Sequence, residues 1–399
     1  MSNIHPTVQL RKRQDRRALS GHCWIYSNEI DTKKVPLTNF VSGQIVNVET
    51  SDRKWIGTGY INPHSLISVR IASHNKKEPF GAELIAQRLK QAAAHRDEFY
   101  KKPFYRLVYG ESDFLPGLVI DRFGDVFVVQ INTTGMEEMK AAIVDGLQRV
   151  FNPTAIQFRC DAPLRKLENL EPYRETIGTI PDEIIVEENG AKFVVDLDQG
   201  QKTGWFYDQR ENRGALLPWV AGKTVIDVCS YVGAWGIAAA VAGAKQVICV
   251  DASQRALEQV AINAKLNNVE SRIISAHGDA FEILKGLKKD KQNSDIVILD
   301  PPAFVKRKKD LRNGTEAYTR LMRRGTQLVT PGGILVSCSC SYHMPRELLV
   351  QRMNEAGQQV ERSLQIFREG RQGPDHPVHP AMPETEYLKV LYARVTRKR

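Results

Sequence analysis

The sequence predicts an α/β protein whose C-terminal half carries a doubly wound parallel sheet, preceded by a small β-rich module and an α+β region. Three observations lead there. From Phe193 onward, apolar runs of four to six residues alternate with helix-length stretches, the pattern of strand–helix–strand units in a parallel sheet. Before residue 73 the runs are short, β-branched and punctuated by glycine and proline, as in a small β module. Between the two, strand-like and helix-like stretches are mixed. A chain of 399 residues accommodates two or three domains at about 150 residues each.

Taken in order, residues 44–48, 55–60 and 65–71 read as strands broken by Gly43 and Pro63. Periodicity predicts a helix over 79–101, strands at 104–108, 118–121 and 126–132, a helix over 137–150, and strands at 155–159 and 184–188. The last part offers strands at 224–228, 246–250, 272–275, 296–299 and 333–337, with helices over 237–241, 255–266 and 317–329. These textures divide the chain into residues 1–73, 74–188 and 189–399.

Composition narrows the function classes. Lys and Arg number 56 against 46 Asp and Glu, a net charge of +10 that favours a polyanionic partner. No window nears the roughly 18 apolar residues of a membrane span. The polar, basic start shows no secretory signal. Six cysteines without a Cys-x-x-Cys pair make neither a disulfide framework nor a zinc site. The expectation is a cytoplasmic protein with free thiols, no metal and no membrane.

Ligands of an open α/β sheet bind where its strands end. The first C-terminal strand ends at Asp227-Val228 and enters Cys229-Ser230-Tyr231-Val232-Gly233-Ala234-Trp235-Gly236. This turn lacks the Gly-x-Gly-x-x-Gly dinucleotide fingerprint, and Asp227 would repel a pyrophosphate, so a cationic cofactor suits it better. The second strand ends at Asp251, followed by Ala252, where an acid can accept both ribose hydroxyls. Asp279-Ala280 follows the third and could meet an adenine amine. Each acid alone reads equally as a helix N-cap. Three at successive strand ends describe S-adenosylmethionine better than NAD.

The fourth strand runs into Asp300-Pro301-Pro302-Ala303-Phe304, a rigid loop with few backbone donors. It can present a carboxyl and a stacking ring to a nucleobase, or it is a proline-capped turn with a core Phe. The fifth ends Ser337-Cys338-Ser339-Cys340-Ser341. Strand cysteines are usually inert packing, but one at the ligand edge can act as a nucleophile. Carbon 5 of cytosine needs such help: thiolate addition at C6 makes C5 enamine-like. Methylation of a ring nitrogen or an exocyclic amine needs none.

With these motifs on the page, the chain resembles the PUA-containing class I methyltransferases. It is most similar to the branch that makes 5-methylcytidine in large-subunit (23S-type) ribosomal RNA. The resemblance spans nearly the whole chain. Residues 21–30, Gly-His-Cys-Trp-Ile-Tyr-Ser-Asn-Glu-Ile, match the opening of the family's PUA domain, an RNA-binding β-barrel. Residues 109–118 resemble the start of its middle domain, and 200–210, Gly-Gln-Lys-Thr-Gly-Trp-Phe-Tyr-Asp-Gln-Arg, its signature. The closing Asp375-His376-Pro377 and Tyr387-Leu388-Lys389 are also similar.

The resemblance implies a class I methyltransferase sheet behind a PUA-like barrel and an α+β middle domain. It implies S-adenosylmethionine held by Lys202, Thr203, Gly204, Tyr207, Asp208, Arg210, Asp227, Ser230, Tyr231, Gly233, Asp251, Ala252, Asp279, Ala280 and Asp300. Cys340 and Asp300 become the catalytic residues, and Pro301, Pro302, Phe304, Lys306 and Arg307 the substrate contacts. The family's nucleophile stands seven residues after the second glycine of the fifth strand, which falls on Cys340 rather than Cys338. Ala303 replaces a frequent Lys, and the 231–236 turn replaces a more usual Thr-Gly-Gly type. The partner is ribosomal RNA, and a homodimer stays open. Arg11, Lys12, Arg13, Arg16 and Arg17 form one basic cluster and Lys306 to Lys309 with Arg312 another, fit to track phosphates or simply solvated. Two rivals stand beside this reading: methylation of a purine nitrogen, and a ribosome-assembly protein without transfer activity.

Overall fold

The computed structural model describes residues 5–198 and 200–398. Met1–Ile4, at the head of the polar start considered above, lie outside the described residues, as do Gln199 and Arg399. The chain forms two compact units, one of residues 1–184, 196–207 and 374–385, the other of 185–195, 208–373 and 386–399.

The first unit holds two five-stranded sheets. Strands β1 (Thr7–Gln9), β2 (Trp24–Tyr26), β3 (Ile45–Glu49), β4 (Trp55–Ile61) and β5 (Ile67–Ser73) lie in the order β1-β3-β4-β5-β2. Val46 and Val48 of β3 turn inward while their neighbours face outward, the period-two pattern of a half-buried strand. They meet Val8, Ile25, Ile61 and Val69 in one apolar core. The second sheet contains β6 (Phe104–Tyr109), β7 (Leu118–Phe123), β8 (Val126–Ile131), β9 (Ala155–Cys160) and β10 (Tyr173–Gly178), in the order β10-β9-β8-β7-β6. Helices Ala82–Asp97 and Lys140–Phe151 share its core through Leu84, Ile85, Leu89, Ile143 and Leu147. The single helix expected over 137–150 is two, Thr134–Glu138 and Lys140–Phe151, because Met139 leaves helical dihedrals at φ −92°, ψ 7°.

The second unit begins with a hairpin of β11 (Ile185–Glu188) and β12 (Ala191–Val194). Seven further strands follow: β13 (Thr224–Val228), β14 (Gln246–Asp251), β15 (Ile273–His277), β16 (Ser294–Leu299), β17 (Val329–Ser339), β18 (Arg362–Gly370) and β19 (Lys389–Arg397). Their order is β15-β14-β13-β16-β17-β19-β18. Strands β13 to β17 are mutually parallel, as the alternation predicts. The chain winds outward from β13 to β15 and then returns to β16, so the switch point, where such sheets bind ligands, falls between β13 and β16. Register places Val228 opposite Leu299 and Leu299 opposite Ser337.

Two strands of this sheet escape the sequence reading. β19 runs antiparallel to both β17 and β18, so the sheet is not wholly parallel. An antiparallel partner needs no crossover helix, and the link 371–388 between β18 and β19 holds no helix beyond the single turn Pro383–Thr385. β18 is an edge strand, exposed along much of its length, and edge strands carry charge rather than an apolar run.

A buried ion cluster anchors the hairpin. Glu188 accepts from Arg213 Nη2 at 2.9 Å and lies 3.4 Å from Arg210 Nε, all three side chains 10% exposed or less. Removing one partner of such a cluster leaves an uncompensated buried charge. Glu188→Ala is expected to lower unfolding stability by about 3–5 kcal/mol in a urea titration. A loss below about 1 kcal/mol would show that the two arginines do not depend on it.

Candidate active site

The carboxyl ends of β13, β14 and β16 gather Asp227, Asp251 and Asp300. Asp227 is wholly buried and accepts the Gly236 amide at 2.9 Å through Oδ2. Burial pushes its carboxyl up to about 7, against the pull of that amide, and the charges of Asp300 and Asp251 push the same way. Glycine is required at 236, since a Cβ there would stand 2.8 Å from Cys249 Sγ and 3.2 Å from Asp227 Oδ2.

Between Asp227 and Gly236 the backbone is held in an uncommon shape. Cys229 and Tyr231 adopt left-handed φ of 61° and 50°, costly for residues with a Cβ and typical of functional turns. Asp251 supports the turn, accepting Tyr231 N at 2.8 Å and Ser253 N at 2.9 Å. Buried Asn263 braces it further, donating to the Val232 carbonyl at 3.0 Å while accepting the Val194 amide at 2.9 Å. Exposed Asp279 caps helix Ala280–Lys289 through Oδ1, accepting the Phe281 and Glu282 amides. The N-cap reading of that residue therefore holds, whatever its other oxygen does.

Asp300 is half-buried and accepts from Gln209 Nε2 at 3.0 and 3.1 Å and from Trp235 Nε1 at 3.0 Å. Gln209 is itself aimed by Asn212, whose Nδ2 donates to Gln209 Oε1 at 2.7 Å. Desolvation lifts the Asp300 carboxyl to about 6, overcoming the Trp235 donor.

The two cysteines part company. Cys338 lies inside β17 opposite Val390, is wholly buried, and burial drives its thiol far above the usual range. Cys340 stands just past the strand end, half-buried, its Sγ 4.0 Å from the Pro301 carbonyl. Its flanking serines are clamped. Ser339 Oγ donates to the Tyr318 hydroxyl at 3.0 Å, Tyr318 bonds Ser341 Oγ at 3.0 Å, and Ser341 Oγ accepts Val305 N at 3.1 Å. Phe304 packs edge-on against Tyr318, ring centroids 4.9 Å apart. Strand end and Asp-Pro-Pro loop are thus one assembly on helix Leu311–Leu328.

Similarity to known proteins decides the family. Residues 173–387 match the family model of S-adenosylmethionine-dependent methyltransferases, and 8–74 match a PUA-like domain. "Ribosomal RNA large subunit methyltransferase I" of Shewanella denitrificans is 36% identical over 394 residues, covering 97% of this chain and 99% of the relative. The Serratia proteamaculans protein of that name is 34% identical over 392 residues, covering 97% and 98%. The chain belongs to the S-adenosylmethionine-dependent methyltransferases. A solved structure of a candidate SAM-dependent methyltransferase from Streptococcus mutans shares the fold, with a TM-score of 0.82 at 21% identity over 98% of this chain and 100% of that one. Another, of a candidate methyltransferase complexed with SAH, gives 0.83 at 20% identity with the same coverage.

The residues of the second unit fit the cofactor of this methyltransferase. Asp227 Oδ1 and Ser230 Oγ are buried and make no hydrogen bond among the described residues, a cost that a bound polar cation would relieve. Three neighbouring carboxylates ask for the same charge. Lys202, Thr203, Gly204 and Tyr207 belong to the first unit. There Thr203 donates to Asp121, Tyr207 donates to the Arg122 carbonyl at 2.9 Å, and Lys202 lies over the Phe206 ring. Asp208 accepts the Tyr387 hydroxyl, and Arg210 is engaged by Glu188. Ala252 offers its carbonyl to His277 Nε2 at 3.1 Å. Pro301 is buried, Phe304 half-buried, and Pro302, Lys306 and Arg307 exposed.

Five residues of the assembly went unassigned from sequence: Gln209, Asn212, Trp235, Tyr318 and Lys389. Gln209 and Trp235 lie inside stretches that drew attention for their acids and glycines, but nothing in those stretches aims an amide or an indole at Asp300. Lys389 opens β19 and donates to the Ser341 carbonyl at 2.7 Å, a contact made by an unforeseen strand. No group of three or more His, Cys, Asp or Glu residues is placed to hold a metal among the described residues.

The raised Asp227 carboxyl has a defined consequence for stability. An unfolded carboxyl ionises near 3.8 and this one near 7. Its stabilising contribution is therefore full below pH about 4 and is lost as the pH climbs to about 7. In Asp227→Asn, the melting temperature of ligand-free protein relative to wild type should rise steadily between pH 4 and pH 7 and level off above it, while calorimetry shows weaker S-adenosylmethionine binding. A difference that stays constant across that window would contradict the assignment.

Proposed function

We propose that this methyltransferase modifies C5 of a cytidine in large-subunit ribosomal RNA, with Cys340 as nucleophile. The observation that carries the reading is the contrast between two cysteines in one Ser-Cys-Ser-Cys-Ser run. The thiol beside the Asp-Pro-Pro loop is accessible, and its neighbour is sealed in the sheet. A nitrogen methyltransferase has no use for such a thiol. Relatives more than 30% identical over nearly their full length bear a ribosomal RNA large-subunit name, and that supports the substrate.

In this reading Asp227, Ser230, Tyr231, Gly233, Asp251, Ala252, Asp279, Ala280 and Asp300 hold S-adenosylmethionine. When bound, it supplies an electrophilic sulfonium methyl. Cys340 as thiolate bonds to C6 of the base, and the displaced π electrons make C5 nucleophilic enough to take that methyl. Asp300, titrating close to neutrality, donates its proton toward N3 as addition proceeds and takes it back as C5 is alkylated. Once C5 has lost its proton to a base, the C6–sulfur bond breaks and the thiolate returns. Pro301 and Pro302 stiffen the loop, and Phe304 offers a stacking face. Exposed Lys306, Lys308 and Lys309 meet phosphates, while Arg307 is partly neutralised by Asp310 at 3.1 Å.

Residues 1–73 serve as the RNA-binding domain, 74–188 as a middle domain and 189–399 as the methyltransferase domain. Of the first basic cluster, Arg11, Lys12, Arg13 and Arg16 are exposed for RNA, whereas Arg17 is tied to Glu29 at 3.0 Å. No helix among the described residues is long and apolar enough to cross a membrane.

Wild-type protein given ribosomal RNA and labelled S-adenosylmethionine should yield labelled 5-methylcytidine on nucleoside analysis. Cys340→Ala should lose at least about 10³-fold of that rate, and Cys338→Ala should stay within several-fold of wild type. A labelled purine, or full activity in Cys340→Ala, would overturn the proposal.

A further inference from the structure

Lys389 is unused in the scheme above, yet it stands at the nucleophile. It is half-buried at the first position of β19, where the ladder pairs it with Ser339. Its side chain then reaches past that pair, and Nζ donates to the Ser341 carbonyl at 2.7 Å. One residue thereby grips the chain on both sides of Cys340, by backbone pairing before it and by a charged hydrogen bond after it. We propose that Lys389 is the positioning residue of Cys340, holding a positive charge against the segment that carries the sulfur so that the thiol ionises readily.

The surroundings give that charge its weight. Among the titratable groups coupled to Cys340 are Lys389 from β19, the Tyr318 phenol from helix Leu311–Leu328 and the Cys338 thiol of its own strand. Burial drives the last two upward, so both stay neutral near pH 7. Lys389 is thus the cation of the set. Desolvation lowers its ammonium to about 8, while Cys340 and Glu386 pull it back up, so it stays largely charged at pH 7. A cation in a partly water-excluded site stabilises a nearby anion more than one in bulk water does, and low-pKa cysteines typically sit beside Lys, Arg or His⁺. The position after the proline pair, Ala303, contributes no charge. Proton balance is simple: the thiol proton goes to water, and Lys389 keeps its own.

The inference rests on Cys340 being the nucleophile, but its test does not need RNA. Alkylation of Cys340 by iodoacetamide, followed across pH 5–10 by peptide mass spectrometry on the full-length protein, reports the thiolate fraction directly. Three variants separate charge from structure. Lys389→Met removes both charge and donor, Lys389→Gln keeps a donor for the Ser341 carbonyl without the charge, and Lys389→Arg restores both. Met and Gln should move the alkylation midpoint up by about one pH unit and slow labelling at pH 7 roughly 10-fold, and Arg should return it close to wild type. Melting temperatures establish that each variant is folded. A wild-type midpoint in folded Lys389→Gln would reduce Lys389 to a hydrogen-bond donor and overturn the proposal. If Cys340→Ala kept its methyltransferase activity, the functional reading would fail while these midpoints still judged the charge.

Discussion

The register of three parallel strands is the constraint on which the site depends. Val228 lies opposite Leu299 and Leu299 opposite Ser337, so the chain leaves β13, β16 and β17 at nearly one level. The cofactor turn, the Asp-Pro-Pro loop and the Ser339–Ser341 segment therefore emerge side by side. A slip of one residue would turn every side chain to the opposite face, and a slip of two would carry Cys340 into the position that seals Cys338. The buried apolar faces of the strands, with Ile226, Val228, Val297, Leu299 and Leu335 in one core, make that slip costly.

Folding this edge concentrates unfavourable terms that ligands can relieve. Asp227 and Asp300 are both lifted toward neutrality by desolvation, Cys229 and Tyr231 occupy strained dihedrals, and Asp227 Oδ1 and Ser230 Oγ lack partners among the described residues. The rest of the second unit offsets this with rigid supports: the Glu188 ion cluster, the Asn263 brace and the Ser339–Tyr318–Ser341 clamp. Such a division, a strained site on an over-determined scaffold, is what preorganised chemistry requires. The two cysteines show how finely it operates, since one strand end separates an inert thiol from an available one.

Much of this was legible in the sequence because parallel strands buried on both faces write continuous apolar runs. All five runs read in the C-terminal part became strands, and the acids that end them stand where the pattern puts them. β18 and β19 were not legible: one is a charged edge strand, and the other pairs antiparallel without a helix to announce it. That omission left Lys389, noticed only within a family motif, without a role. Gln209, Asn212 and Trp235 were invisible for a different reason, because what they do is orient a carboxylate, and orientation has no sequence period. Asp279 reads both ways in the sequence, and the structure shows the cap. The choice of Cys340 over Cys338 came from family spacing, whereas its physical basis, the end of β17 at Ser339, needed coordinates.

Covalent engagement of a cytosine by Cys340 is the claim at the centre of this account, and it can be trapped. Large-subunit ribosomal RNA transcribed with 5-fluorocytidine offers a base from which no C5 proton can leave, so a sulfur–C6 bond formed during turnover cannot break. Incubation with the protein and S-adenosylmethionine should give a denaturation-resistant protein–RNA conjugate whose attachment maps by mass spectrometry to Cys340. No conjugate, or one attached through any other residue, would contradict it.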